Sequence, residues 1–370
     1  MSLPHPTNIL HTNVLPPLPA SWSELTWQQL CDVWTAKIRY GGNHDVAVCA
    51  AMLALCQMTA DGTVSTDPAT GETVYQLKGK DGQLWTVSPR QLSHLAHKAL
   101  PWFAYPYGDA GDKEERDDQG KVVKERREGH QGYVNPGWRD AMVLPESELV
   151  VCDRRIIPVS QWNAMSEEER HQTDIHFALP ELACNNLTWH QYRTLQGLTP
   201  QLFQEGTSDE QTLELQAQFL AAMLVPEQTG SRGHDRFEKQ HPFKYDADRA
   251  EQSQQFWLDL LRTPQADGDA LPAQADVLFH ICFQVYQTAM RYYEVVFPPL
   301  FSGSGKDDPL RDALTGEVGT INAVMKYAGY GDQQQVYDAN LPFILDILNT
   351  MTKEAKEIEK MNQQIKSRRK

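Results

Sequence analysis

No stretch of this 370-residue chain approaches the ~20 consecutive apolar residues that a membrane-crossing helix requires. The most apolar segment, Val277 to Phe297, is interrupted by His280, Gln284, Gln287, Arg291 and Glu294, the pattern of a buried helix. Positive charge is also scarce. With 34 Lys and Arg against 49 Asp and Glu, the formal charge of −15 argues against a protein that coats nucleic acid or docks on an anionic membrane. The six cysteines contain no CxxC pair, which removes the usual zinc and dithiol frameworks. Cys49 and Cys56, seven residues apart in an apolar helical run, read as small core hydrophobes. GxSxG, HExxH and GxGxxG are absent as well, so no catalytic residue, cofactor or metal is assigned and the chain is read as non-enzymatic. The opening twenty residues have no basic start followed by an apolar stretch, and a cytoplasmic location is expected.

What is present is enough for a core. The chain is 41% hydrophobic and holds 9 Trp, 13 Tyr and 12 Phe, which excludes disorder throughout. Residues 1–20, with Pro4, Pro6, Pro16, Pro17 and Pro19, read as an extended arm, either loosely tethered or lying on a neighbouring subunit. Residues 21–107 read as a helix pair followed by a β-meander and a helix. Strands are expected at Thr63 to Ser65, Thr73 to Leu77 and Leu84 to Val87, with Asp81-Gly82 as a hairpin signal. Ser88-Pro89 opens a helix reaching about Leu100.

Residues 108–180 read as a charged loop and short hairpin linker. Asp112 to Glu128 holds seven acids and six bases in seventeen residues, with a hairpin tip around Asp118 to Lys121, and Leu149 to Val151 pairs with Ile156-Ile157. Residues 181–370 read as a helical domain with helices at Asp248 to Leu261, Ala273 to Phe297, Glu317 to Ala328 and Val336 to Ser367. In the last, Ile344, Leu348, Met351, Ala355, Ile358, Met361 and Ile365 step by three or four, an amphipathic stripe. The fold class is mainly α (α+β), built from antiparallel helix pairs with small antiparallel β-hairpin inserts.

The two halves echo each other. Leu25-Thr26-Trp27-Gln28-Gln29 recurs as Leu187-Thr188-Trp189-His190-Gln191, each with a threonine placed to cap a helix. Each leads through turn residues to a second apolar run, Cys49 to Leu55 and Leu220 to Pro226, with Asp209 as the cap expected for the later helix.

Three groups invite chemical readings. Gly303-Ser304-Gly305-Lys306 resembles a phosphate loop, but Leu300 stands where glycine is required and Asp307 follows the lysine, so it reads as a hinge. His94 and His97 share a helix face without an acidic third ligand at helical spacing; His171 and His176 lie in a polar linker. His234 and His241 bracket Asp235-Arg236-Phe237-Glu238 and are the residues an enzyme of unrecognised class would use. A third reading, a nucleic-acid adaptor, rests on Met351 to Lys370, where seven bases face three acids. Those bases are also explained by the dipole at a helix C-terminus.

The repeated Leu-Thr-Trp-x-Gln openings, together with Thr320 to Gly329, Val336 to Pro342 and the charged helix to Lys370, resemble phage and prophage tail-assembly proteins of the assembly-chaperone type. That resemblance implies no catalysis. It implies binding of a helical tape-measure protein or tail subunits in the bacterial cytoplasm, with homo-oligomerisation and association with the virion left open. The residues assigned to partner binding are Trp22, Trp27, Trp34, Trp189, Tyr192, Ile344, Leu348, Met351, Ile358 and Met361.

Overall fold

The computed structural model describes residues 10, 15–41, 43–66, 71–103, 114–116, 122–125, 143–171, 173–227, 243, 245–263, 273–301 and 317–368. It is mainly α-helical with small antiparallel sheets. Its contacts group into two units, Met1–Pro145 with Thr263–Gln284, and Glu146–Arg262 with Val285–Lys370. This grouping differs from the expected borders at 107 and 180.

In the first unit, α1 (Trp27–Arg39) and α2 (His44–Leu55) pack as a hairpin. Thr26 caps α1 with a full capping box: its hydroxyl accepts from the Gln29 N–H, and the Gln29 side chain accepts from the Thr26 N–H. Asn43 caps α2. A meander follows, β1 (Thr59–Thr66), β2 (Thr73–Lys78) and β3 (Leu84–Val87), in the order β1-β2-β3. β1 starts four residues before the expected Thr63, and a register shift between Ala60 and Val64 surrounds Gly62, whose φ of +82° suits a bulge. The Asp81-Gly82 turn is present, with Gly82 at φ +79°. Ser88 caps α3 (Pro89–Ala99) through a second capping box, with Pro89 in the first turn. The short strands β4 (Glu114–Arg116) and β5 (Val122–Glu125) pair antiparallel, and the tip between them lies outside the described residues. Two described N-terminal residues are tied to this unit: the buried Leu10 donates its N–H to the Thr86 carbonyl, and Trp102 donates its indole N–H to the Pro19 carbonyl.

The second unit is built around a four-stranded antiparallel sheet in the order β7-β6-β8-β9. Its strands are β6 (Glu148–Cys152), β7 (Arg155–Pro158), β8 (Ile175–Ala178) and β9 (Val225–Pro226). β6 buries four of its five residues, because both of its edges are paired and Trp162 of α4 (Val159–Ala164) and Met165 pack against Val150, Cys152 and Ile157. The strands expected as a linker therefore form the sheet on which this unit is organised.

Thr188 caps α5 (Trp189–Leu202) with a capping box to Gln191. α6 (Asp209–Met223) starts one residue earlier than its expected cap implied. Ser208 holds the cap, because Gln211 stands at the third helical position to complete the box, and Asp209 is the first helical residue. α7 (Ala247–Leu261) packs on α6 and buries Trp257, Leu260 and Leu261. The boundary between the units falls within α8 (Gln274–Val296). The chain does not stop being helical at Pro298-Pro299; those prolines open the single turn α9 (Pro298–Phe301), since a first turn needs no proline N–H. α10 (Glu317–Ala328) has its expected bounds. The expected helix from Val336 to Ser367 is two, α11 (Gln333–Tyr337) and α12 (Leu341–Arg368). The break is fastened to the start of α5: Trp189 donates to the Ala339 carbonyl, and Leu341 donates to the Leu187 carbonyl, each at 2.8 Å.

Candidate functional site

The echo between the halves extends to packing. Trp27, Leu30, Val33 and Ala36 are buried in α1, and Trp189, Tyr192, Leu195 and Leu198 are buried at the same spacing in α5. This corrects one part of the expected partner surface. Trp22, Trp27, Trp34, Trp189 and Tyr192 are interior residues and not surface anchors. Trp189 meets Tyr192 at 5.2 Å with the rings tilted, and Trp22 meets Trp34 at 6.3 Å and Trp102 at 4.9 Å. Four of the buried indoles among the described residues, Trp22, Trp34, Trp189 and Trp257, have an N–H without an acceptor, a cost that the burial of their large apolar rings offsets.

The stripe on α12 divides. Ile344 and Leu348 are buried, and Met351 is half-buried. Beyond them Ile358, Met361 and Ile365 are 56%, 54% and 51% exposed. Every residue from Glu357 to Ser367 is exposed, so about 16 Å of helix continues past the packed part at 1.5 Å per residue. Ile358 and Ile365 are seven apart with Met361 between them, which places all three on one side of the helix. Met351 to Lys370 carries seven bases and three acids on a chain of net charge −15. The exposed end is thus both apolar along one line and opposite in sign to the rest of the chain.

A second group lies in the first unit. Lys37 projects its amine over Trp22 at 5.5 Å, Trp34 at 5.1 Å and Phe103 at 4.7 Å, measured to the ring centroids. Its Nζ donates to the Phe103 carbonyl oxygen at 3.4 Å. Burial pushes this amine down to about 7, against the attraction of the three ring faces for the charged form. His44, on α2, meets Phe103 at 5.8 Å and His97 of α3 at 5.6 Å, and His97 bonds to Asp45 at 2.8 Å. Burial first, then repulsion from His97 and Lys37, lowers the His44 pKa. His280 stacks on Trp34 at 5.7 Å and lies 3.6 Å from Asp276; burial lowers its pKa, with Asp276 opposing. Burial raises the Cys31 thiol to about 12, with the nearby Asp32 adding to it.

His97 finds its carboxylate on another helix, which spacing along its own helix does not reveal. His171 lies 3.5 Å from Asp153, and His176 sits in β8, edge-on to Trp162 and 3.9 Å from Glu148. Among the described residues no three His, Cys, Asp or Glu side chains are grouped to hold a metal ion. The His234 to His241 segment and Gly303 to Lys306 lie outside the described residues. No described helix is long and apolar enough to cross a membrane. Comparison with protein-family models, with curated proteins and with solved structures returned no match to this chain.

Proposed function

We propose that this chain is a non-enzymatic assembly protein of the phage or mobile-element tail type, which acts by holding a helical partner polypeptide on the exposed end of α12. The observation that carries the reading is the unpaired line of Ile358, Met361 and Ile365 on a helix that continues past the body it packs on.

Magnitudes shape what the partner is. Covering three half-exposed side chains of this size is worth about 2–4 kcal/mol. Association costs at least about 4 kcal/mol in lost translational and rotational freedom. One stripe therefore does not hold one isolated helix. It works where contacts repeat, on a long helical protein that several copies cover together, and this is the geometry that a tape-measure protein offers. The basic end of α12 favours an acidic segment beside the apolar seam.

The test is co-expression with the long helical tape-measure-type product of the same genetic element, followed by pull-down, using the native chain and a Ile358→Glu, Met361→Glu, Ile365→Glu variant. Capture by the native chain, and its loss in a variant that keeps native circular dichroism and thermal stability, is expected. Equal capture by both excludes the stripe as the docking line. Capture that depends only on Arg368, Arg369 and Lys370, and is carried by nucleic acid, would replace this reading with the adaptor one.

A further inference from the structure

α12 carries exposed rings near its start as well as the exposed aliphatic line near its end. Phe343, in the first turn of α12, is 53% exposed, and Tyr327, near the end of α10, is 45% exposed. Tyr330 meets Phe343 edge-on at 6.3 Å, after the turn at Gly329, whose φ of +74° ends α10. The Tyr327 hydroxyl donates to Glu354 Oε1 at 3.1 Å, so these rings lie along α12 itself. Phe343 and Met361 are eighteen residues apart, five full turns, and Ile358 and Ile365 fall within about 60° of the line that joins them. One face of α12 therefore stays exposed at both ends over about 33 Å. Charge divides along the same axis. Gly329 to Thr352 holds Asp332, Asp338 and Asp346 and no Lys or Arg, with Lys326 the base that borders it, whereas Lys353 to Lys370 holds seven bases and three acids.

We propose that this face pairs with the same face of a second copy of the chain, the two α12 helices running antiparallel about a two-fold axis, and that the pairing covers the docking line until the assembly partner displaces it. Charge complementarity sets the orientation. A parallel pair would set basic end on basic end and acidic start on acidic start. The antiparallel pair sets each basic end over the acidic start of the other copy, and symmetry makes the contact twice. The same orientation brings Ile358, Met361 and Ile365 of each copy onto the Tyr327, Tyr330 and Phe343 rings of the other, and aromatic side chains are the usual interface anchors. Two equivalent contacts supply the apolar cover that one stripe alone lacks. A face that is its own complement also closes at two copies and does not grow into a fibre. The inference rests on the reading of Ile358 to Ile365 as a docking line, and it names what occupies that line before the partner arrives.

The test is sedimentation velocity of the full chain alone over a range of concentrations, with circular dichroism and thermal unfolding to confirm that each variant is folded. A monomer–dimer equilibrium is expected. Phe343→Ser, which lies outside the aliphatic line, is expected to weaken the dimer on the order of 10-fold, as is Met361→Ser. Lys360→Glu with Lys366→Glu, and separately Asp338→Lys with Asp346→Lys, are each expected to weaken it. All four reversals in one chain are expected to restore it, because only antiparallel pairing then sets opposite charges together. A chain that is monomeric throughout overturns the proposal, and so does a dimer that Phe343→Ser and the reversals leave unchanged. A dimer that the combined reversal fails to restore overturns the antiparallel arrangement. Adding the tape-measure-type protein is expected to dissociate the dimer, and a complex that keeps it overturns the covering role. A monomeric chain that still captures that protein ends this proposal alone, whereas a dimer sensitive to these changes that captures none ends the assembly reading and leaves the pairing standing.

Discussion

Gln191 and Gln29 occupy the same position of the repeated motif, yet they are expected to differ severalfold in what they contribute. Each accepts from the backbone N–H of its capping threonine, at 2.9 Å for Gln191 and 3.0 Å for Gln29. Gln191 does more. It is 1% exposed, and its Nε2 donates to the Ala222 carbonyl at 2.8 Å. That carbonyl needs a donor from outside its own helix. α6 ends at Met223, and the residue four positions on is Pro226, which has no N–H. Replacing Gln191 by Leu keeps the volume and leaves both a backbone donor and a buried carbonyl unpaired, at roughly 1–3 kcal/mol for the carbonyl and about 1 kcal/mol for the cap. The expected loss is about 2–4 kcal/mol, or ~5–15 °C in Tm for a unit of this size. Gln29→Leu removes only a solvent-facing cap bond and is expected to cost about 0.5–1 kcal/mol. Thermal and urea unfolding of the two variants, prepared identically, decide the matter. Equal losses would refute the claim that the cross-helix bond, and not the cap alone, makes this glutamine structural.

Two further outcomes follow from backbone and charge. Asp153 and Arg154 join β6 to β7 with φ of +47° and +64°, the two left-handed residues of a tight hairpin turn, and both are exposed. Arg154→Gly is expected to raise the urea midpoint by the equivalent of about 0.5–1 kcal/mol, and a loss would mean that Arg154 makes contacts worth more than its strain. For Lys37 the sign is fixed by its lowered pKa: the unfolded chain binds the proton up to about 10.5 and the folded chain only to about 7. Stability is therefore expected to rise with pH between about 7 and 8, below the ~8.5–9 at which the thiols of the unfolded chain ionise and, being raised by burial in the folded chain, begin to oppose the trend. Lys37→Met is expected to flatten that slope, and an unchanged slope in the variant assigns it elsewhere.

The elements that could be read from the sequence are those decided within about four residues. Thr26, Ser88 and Thr188 name their helices because a cap hydroxyl and its glutamine meet at i and i+3 whatever else the chain does. The same local rule separates Ser208 from Asp209, and it shows that the break before α12 was legible too. Pro342 is at home only in the first turn of a helix, so a helix running unbroken through it from Val336 conflicts with the sequence itself. The heptad spacing of Ile358, Met361 and Ile365 was equally visible, but periodicity states only that a helix has an apolar side. Whether that side is covered depends on residues far along the chain, which is why Ile344 is buried and Ile358 is not on a single continuous stripe. The tryptophans pose the same question with the opposite result. A large ring with one polar atom suits an interface centre or a core, and only contacts such as Trp22 on Trp102, eighty residues apart in sequence, settle that these are core. Lys37 is the extreme case. Its cage draws on residues 22, 34 and 103, and nothing in the local sequence Ala36-Lys37-Ile38 distinguishes it from a lysine in water. Local chemistry therefore specified where the helices begin, while the uncovered stripe on α12 and the caged amine of Lys37 are products of long-range packing.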